Sequence, residues 1–222
     1  MCPTATAGER RLSGKIGPNA LTQFVVPLEQ IGGRGLCARL LDEAGIAVLP
    51  DMSGLIDEAP VARFHNLIRH ELPGKAQTLC QAAGTGTANY ILAHRIPKTA
   101  QQILKILPGA VSGPLLARAI AKNAWTFAGS GSFRIASYRP VVFCLKDNPL
   151  IAGEAAGHPL CAWHSAVFAR LFQVLVDPNV RVTETACSAA GAPFCRFELH
   201  RCNSRAIQPE RLFPENRDQT TC

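Results

Sequence analysis

The interval between apolar residues changes once along this chain, near Gly129, and that change constrains the fold more than any other feature. Before it, the interval is helical. "PNALTQFVVPLEQIG" and "GRGLCARLLDEAGI" are short periodic stretches, each closed by glycine, the second with Gly45 where a helix C-cap is expected. "APVARFHNLIRHEL" puts Val61, Phe64, Leu67 and Ile68 on one face, with Pro60 suited to its first turn. "GKAQTLCQAAGTGTANYILAHRIP" continues until Pro97 stops it. "KTAQQILKILP" and "GPLLARAIAKNAWTFAG" extend the pattern, the latter with an apolar stripe of Leu115, Leu116, Ala119, Ile120 and Ala124.

Beyond Gly129, "GSFRIASY" and "RPVVFCLKD" alternate or run apolar with β-branched and aromatic residues. The Arg139-Pro140 step between them reads as a turn. "NPLIAGEAAGHP" is a loop, and "PLCAWHSAVFARLFQVLV" an apolar helix stopped at Asp177-Pro178. "VRVTETAC" and "PFCRFELHR" form a second strand pair. The expectation is an α+β fold, with N-terminal helices packed on a four-stranded antiparallel sheet made of two hairpins, and a helix inserted between them. A doubly wound dinucleotide fold would alternate strand and helix throughout, and this order does not. The domain expectation is a flexible N-terminus over 1–14, one domain over 15–202, and a polar tail over 203–222.

At 222 residues, 47% hydrophobic and only 18% charged, the chain can bury a core without staples. Its net charge of +7 comes from basic residues scattered along the chain, and aromatic residues are only 6%, so no basic stretch interleaved with aromatics offers a nucleic-acid groove. "MCPTATAGERR" lacks the apolar segment of a secretory signal, and no apolar run reaches the roughly 18 residues of a spanning helix. The expected place is the cytoplasm, where nine irregularly spaced cysteines read as thiols, ligands or core residues rather than a disulfide framework. Cys2 and Cys222 sit near the chain ends and carry no argument.

The chemistry concentrates in "TETACSAAGAPFCRF", residues 183 to 197. If the flanking strands pair, Cys187 and Cys195 face each other near the turn. Glu184, three residues before Cys187, falls on the opposite face of a regular strand and joins the thiols only if the strand bends or bulges. Tetrahedral zinc needs a fourth ligand, and "HPLCAWHS" offers His158, Cys161 and His164. Cys161 is favoured because a helix start stabilises a thiolate. Buried free cysteines are the competing reading, and a disulfide a third.

"PLCAWHS" followed by "ETACSAAGAPFCRFEL" resembles the small-molecule-binding 4-vinyl reductase domain family, whose closing signature is a helical Cys and then E-x2-C-x3-G-x3-C-x-F. Those positions are here Cys161, Glu184, Cys187, Gly191, Cys195 and Phe197. "ANYILAHRIP" and "NAWTFAGSGSF" are similar to the family's bacteriochlorophyll-biosynthesis members, so the likeness runs from about residue 15 to 201. The resemblance implies a structural zinc on Cys161, Glu184, Cys187 and Cys195, a homodimer, and Trp125 as a ligand-pocket candidate. The pocket histidine of the family's aromatic-sensing members has no counterpart here.

The resemblance further implies a part in making photosynthetic pigment. The protein would bind a chlorophyll precursor, such as the magnesium tetrapyrrole divinyl protochlorophyllide, and support reduction of the 8-vinyl (4-vinyl) group as a carrier or accessory. The alternative is the vinyl reductase itself. Partners would be the pigment precursor and other enzymes of the route, at or peripheral to the photosynthetic membrane. A reductase needs a hydride donor, yet "GTGTAN" lies inside a helical stretch and "GSGS" precedes a strand; neither has the strand-turn-helix setting of an NAD or flavin site. His65, His70, His94 and His164 are candidate ligands for a central magnesium, His94 being carried furthest.

Overall fold

A computed structural model describes residues 14–202; the tails, with Cys2 and Cys222, lie outside the described residues. The chain begins with a two-residue strand, β1 (Lys15–Ile16), a single turn, α1 (Asn19–Thr22), and a longer helix, α2 (Val25–Glu43). α2 breaks at Gly33 (φ 72°), where the sequence divides its two periodic stretches. It ends in paired C-cap bonds, from Gly45 N–H to Asp42 O at 2.8 Å and from Ile46 N–H to Leu41 O at 2.9 Å.

β2 (Ile56–Asp57) pairs antiparallel with β1 and leads into α3 (Glu58–Glu71). α4 (Pro73–His94) starts with proline at its first position, α5 (Lys98–Ile106) follows Pro97, and α6 (Gly109–Lys122) follows Pro108. The expected stripe on α6 is corrected by the structure. The helix begins a turn earlier than its sequence signal and carries Pro114 inside it. It buries Gly113, Leu116, Ala117 and Ile120, while Leu115 and Ala119 face outward. Five apolar positions spread over ten residues make too wide an arc for one helix to bury, and packing on the sheet selects the inner one.

The sheet joins two hairpins. β3 (Ser132–Tyr138) and β4 (Val141–Lys146) form the first, β5 (Val180–Ala186) and β6 (Cys195–Arg201) the second, in the order β3-β4-β6-β5, antiparallel throughout. α7 (Ala162–Leu175) is inserted between them and packs on the sheet. This is the α+β arrangement expected from the sequence. Phe168 on α7 meets Phe143 on β4 and Phe197 on β6 with ring centroids 4.9 and 5.4 Å away, and all three rings are buried.

α4 and α7 form the most extensive helix contact. It depends on "GTGTAN". A Cβ on Gly84 would stand 2.4 Å from the Trp163 carbonyl oxygen, and one on Gly86 2.8 Å from the Gln23 side chain. These glycines let helices approach rather than cradle a phosphate. "GSGS" has an internal partner too: Ser130 N–H and Gly14 N–H donate to the two carboxylate oxygens of fully buried Glu58, at 2.7 and 3.0 Å.

Candidate metal centre

Three elements converge on one buried spot. Cys161 is the N-cap of α7, Glu184 lies on β5, Cys187 follows β5, and Cys195 opens β6. A short 3-10 turn (Ser188–Ala190) links the hairpin and closes on Gly191, whose φ of 87° is the left-handed geometry that glycine adopts without strain. The β5–β6 register shifts between Glu184 and Ala186. This is the bulge that the phase of Glu184 required, and it turns the carboxylate to the thiols.

The ligand atoms of Cys161, Glu184, Cys187 and Cys195 all lie within 4.8 Å of one another. Cys161 Sγ is 3.4 Å from Cys195 Sγ and 4.0 Å from Cys187 Sγ, and Cys187 and Cys195 are 4.0 Å apart. A disulfide needs about 2.05 Å between sulfurs. Four ligands around zinc, with Zn–S near 2.3 Å, put sulfurs about 3.8 Å apart, the middle of the observed range. The cysteines are 0 to 2% exposed. Cys161 N–H donates to Glu184 Oε2 at 2.8 Å, whereas Glu184 Oε1 is buried without a hydrogen-bond partner. An orphaned carboxylate oxygen beside three thiols is the donor arrangement a soft divalent cation completes.

Electrostatics agree. Burial lifts the Cys161 thiol well above the ordinary range and the Glu184 carboxyl to about 8. Cys195 is drawn down to about 3 by hydrogen bonds from Cys161 and Cys187. Unaided, the cluster concentrates its negative charge on one sulfur. A dication would let the remaining groups ionise as well.

Asn148, which the sequence did not single out, supports the site: its Nδ2 lies 3.3 Å from Cys161 Sγ, while its Oδ1 accepts from Leu150 N–H at 3.1 Å. The other candidates stand elsewhere. His164 is fully buried, with Nε2 3.4 Å from the Phe127 carbonyl. His158 is exposed and lines a groove with Arg69, His70 and Glu154. His65 Nε2 bonds the Ala20 carbonyl at 2.8 Å. His94 is exposed at the end of α4, its ring against Tyr90. Trp125, in the 3-10 turn Ala124–Thr126 after α6, is 56% exposed.

A cavity of about 440 Å³ lies between α6, the β3–β4 turn, the end of α7 and the outer ends of β5 and β6. Phe172, Val176, Val180 and Leu199 supply apolar wall, and Arg139, His200 and Arg201 supply polar lining. Arg201 pairs with Asp177, and Arg139 Nη2 donates to the Ala110 carbonyl at 3.1 Å.

Residues 141–201 match the 4-vinyl reductase domain, the segment that holds all four clustered ligands. Over 200 residues the chain is 48% identical to the bacteriochlorophyll synthase 23 kDa chain of Cereibacter sphaeroides, covering 87% of this chain and 97% of that protein. The chain belongs to the bacteriochlorophyll synthase 23 kDa chain family. The family's Rhodobacter capsulatus member is 43% identical over 198 residues, covering 89% of this chain and 92% of the relative. In fold, this 23 kDa chain family member is similar to H-NOX proteins. One from K. algicida in the unliganded Fe(II) state has a TM-score of 0.56 at 8% identity, covering 87% of this chain and all of that one. One from S. oneidensis in the Fe(II)NO state has a TM-score of 0.55 at 12% identity, covering 85% of this chain and all of that one. At such identities the likeness is one of architecture.

Proposed function

We propose that this protein binds a chlorophyll precursor such as divinyl protochlorophyllide and supports 8-vinyl reduction as a carrier or accessory to the reducing enzyme. Its place in bacteriochlorophyll synthesis rests on the family. The accessory role rests on one observation above others: the cysteine cluster is a closed donor set. Four protein ligands fill a tetrahedral zinc, which then has no open position for substrate or water. Bound there, zinc would tie the start of α7 to the β5–β6 hairpin and stabilise the fold. Both glycine-rich segments are already used within the protein, one for helix packing and one for Glu58.

The cavity beside α6 is the proposed pigment contact. Its apolar wall suits part of a macrocycle face, and Arg139 and Arg201 suit a ring carboxylate. Trp125 offers an indole face for stacking on an exposed ring edge. Titration of purified protein with divinyl protochlorophyllide should shift the pigment's absorption band saturably, and Arg139→Ala with Arg201→Ala should weaken the binding about tenfold or more. An unchanged pigment spectrum over the whole titration contradicts the proposal.

A further inference from the structure

We propose that the outer face of α5 and α6 docks this protein on an anionic lipid bilayer. α5 is turned inside out relative to an ordinary amphipathic helix. It buries a glutamine, Gln101, whose Nε2 donates to the carbonyls of Leu92 at 2.6 Å and Ile96 at 2.8 Å, and it leaves Ile103 54% and Ile106 80% exposed. Those two bonds satisfy orphan carbonyls at the end of α4 and fix which side of α5 faces in. The isoleucines point outward because α5 is anchored, not because it is loose.

The exposed surface continues past Pro108. On α6, Val111 is 44% and Leu115 42% exposed, and Arg118 and Lys122 follow on the same outward stripe at helical spacing. Lys98 and Lys105 flank the isoleucines on α5, both exposed. The chain carries 16 acidic residues, yet none falls between Glu71 and Asp147, so every charge on both helices is basic.

Aliphatic side chains flanked by lysine and arginine, with no acid among them, form an interfacial surface. The aliphatics enter the headgroup–acyl boundary and the long basic side chains reach lipid phosphates. Uniform positive sign matches a surface of uniform negative charge, whereas a protein partner presents mixed signs. No helix among the described residues is long and apolar enough to cross a membrane, so the contact is peripheral.

The test is flotation of the full-length protein with vesicles of phosphatidylcholine alone or containing phosphatidylglycerol, at low and high salt. Protein should float with the anionic vesicles only and be released by salt. Ile103→Ser with Ile106→Ser, and separately Lys98→Glu with Lys105→Glu, should each weaken flotation about tenfold or more. All these positions are exposed, and circular dichroism verifies that the variants fold. Failure of the wild type to float with anionic vesicles, or flotation of both variants equal to wild type, overturns the proposal, as does retention on an acidic protein without any vesicle binding. Pigment titration in detergent-free solution is independent of this face, so the docking proposal and the carrier proposal fail separately.

Discussion

Glu184 reaches the thiols because β5 carries one residue more than its partner at that point. Without the shift it would stand across the sheet from Cys187. The need for a bulge was legible in the sequence as a phase conflict. Asn148 was not, because a side chain from a distant loop that touches a sulfur leaves no local pattern. Cys187→Ser and Cys195→Ser should each lose most bound zinc, and Glu184→Gln should weaken it roughly 10- to 100-fold, measured by elemental analysis and chelator competition. Wild-type protein without zinc contradicts the site. Metal and protons compete for the same atoms, and Glu184, raised to about 8, and the raised Cys161 thiol must both release protons to bind. Zinc affinity should therefore fall as pH drops from about 8 to about 6. A pH-independent affinity over that range contradicts it.

α3, α4 and α7 form the helical layer whose long period was plain in the sequence. β1 and β2 were not foreseen, since two-residue strands are too short to show a period. The α6 stripe was misassigned because sequence gives an apolar arc but not which part of it meets the sheet. Gly84 sits where α4 and α7 touch, so Gly84→Ala should destabilise by about 1–3 kcal/mol in urea unfolding. Gly74→Ala on the same helix, with open space around it, should not. His65 on α3 and His164 on α7 are both pulled down by burial, to about 3 and about 4. Unfolded chains take up those protons near 6.5, so the unfolded state binds more protons between about 6.5 and the folded values. Stability is fully present above about 6.5 and falls as pH drops toward about 4. The urea midpoint should decline over that window, and His65→Gln, which keeps a donor for Ala20 but does not titrate, should decline less.

Across the whole molecule, the hairpin with Cys187 and Cys195 closes one end of the second strand pair, while the cavity lies at the outer ends of the same strands beside α6. A structural metal and a pigment contact are thus held apart by the length of β5 and β6, as expected where the metal holds the fold and takes no part in the chemistry. The architecture was legible from the single change of period and the resemblance from one signature. The cavity was not, because its walls come from four segments far apart in sequence. The central claim is that binding occurs without self-sufficient reduction. It is tested by incubating purified, metal-replete protein with divinyl protochlorophyllide, with and without NADPH, and separating the pigment afterwards by mass. The account predicts a shifted absorption band and recovery of the divinyl pigment unchanged under both conditions. Conversion to the product two hydrogens heavier by the isolated protein would contradict it.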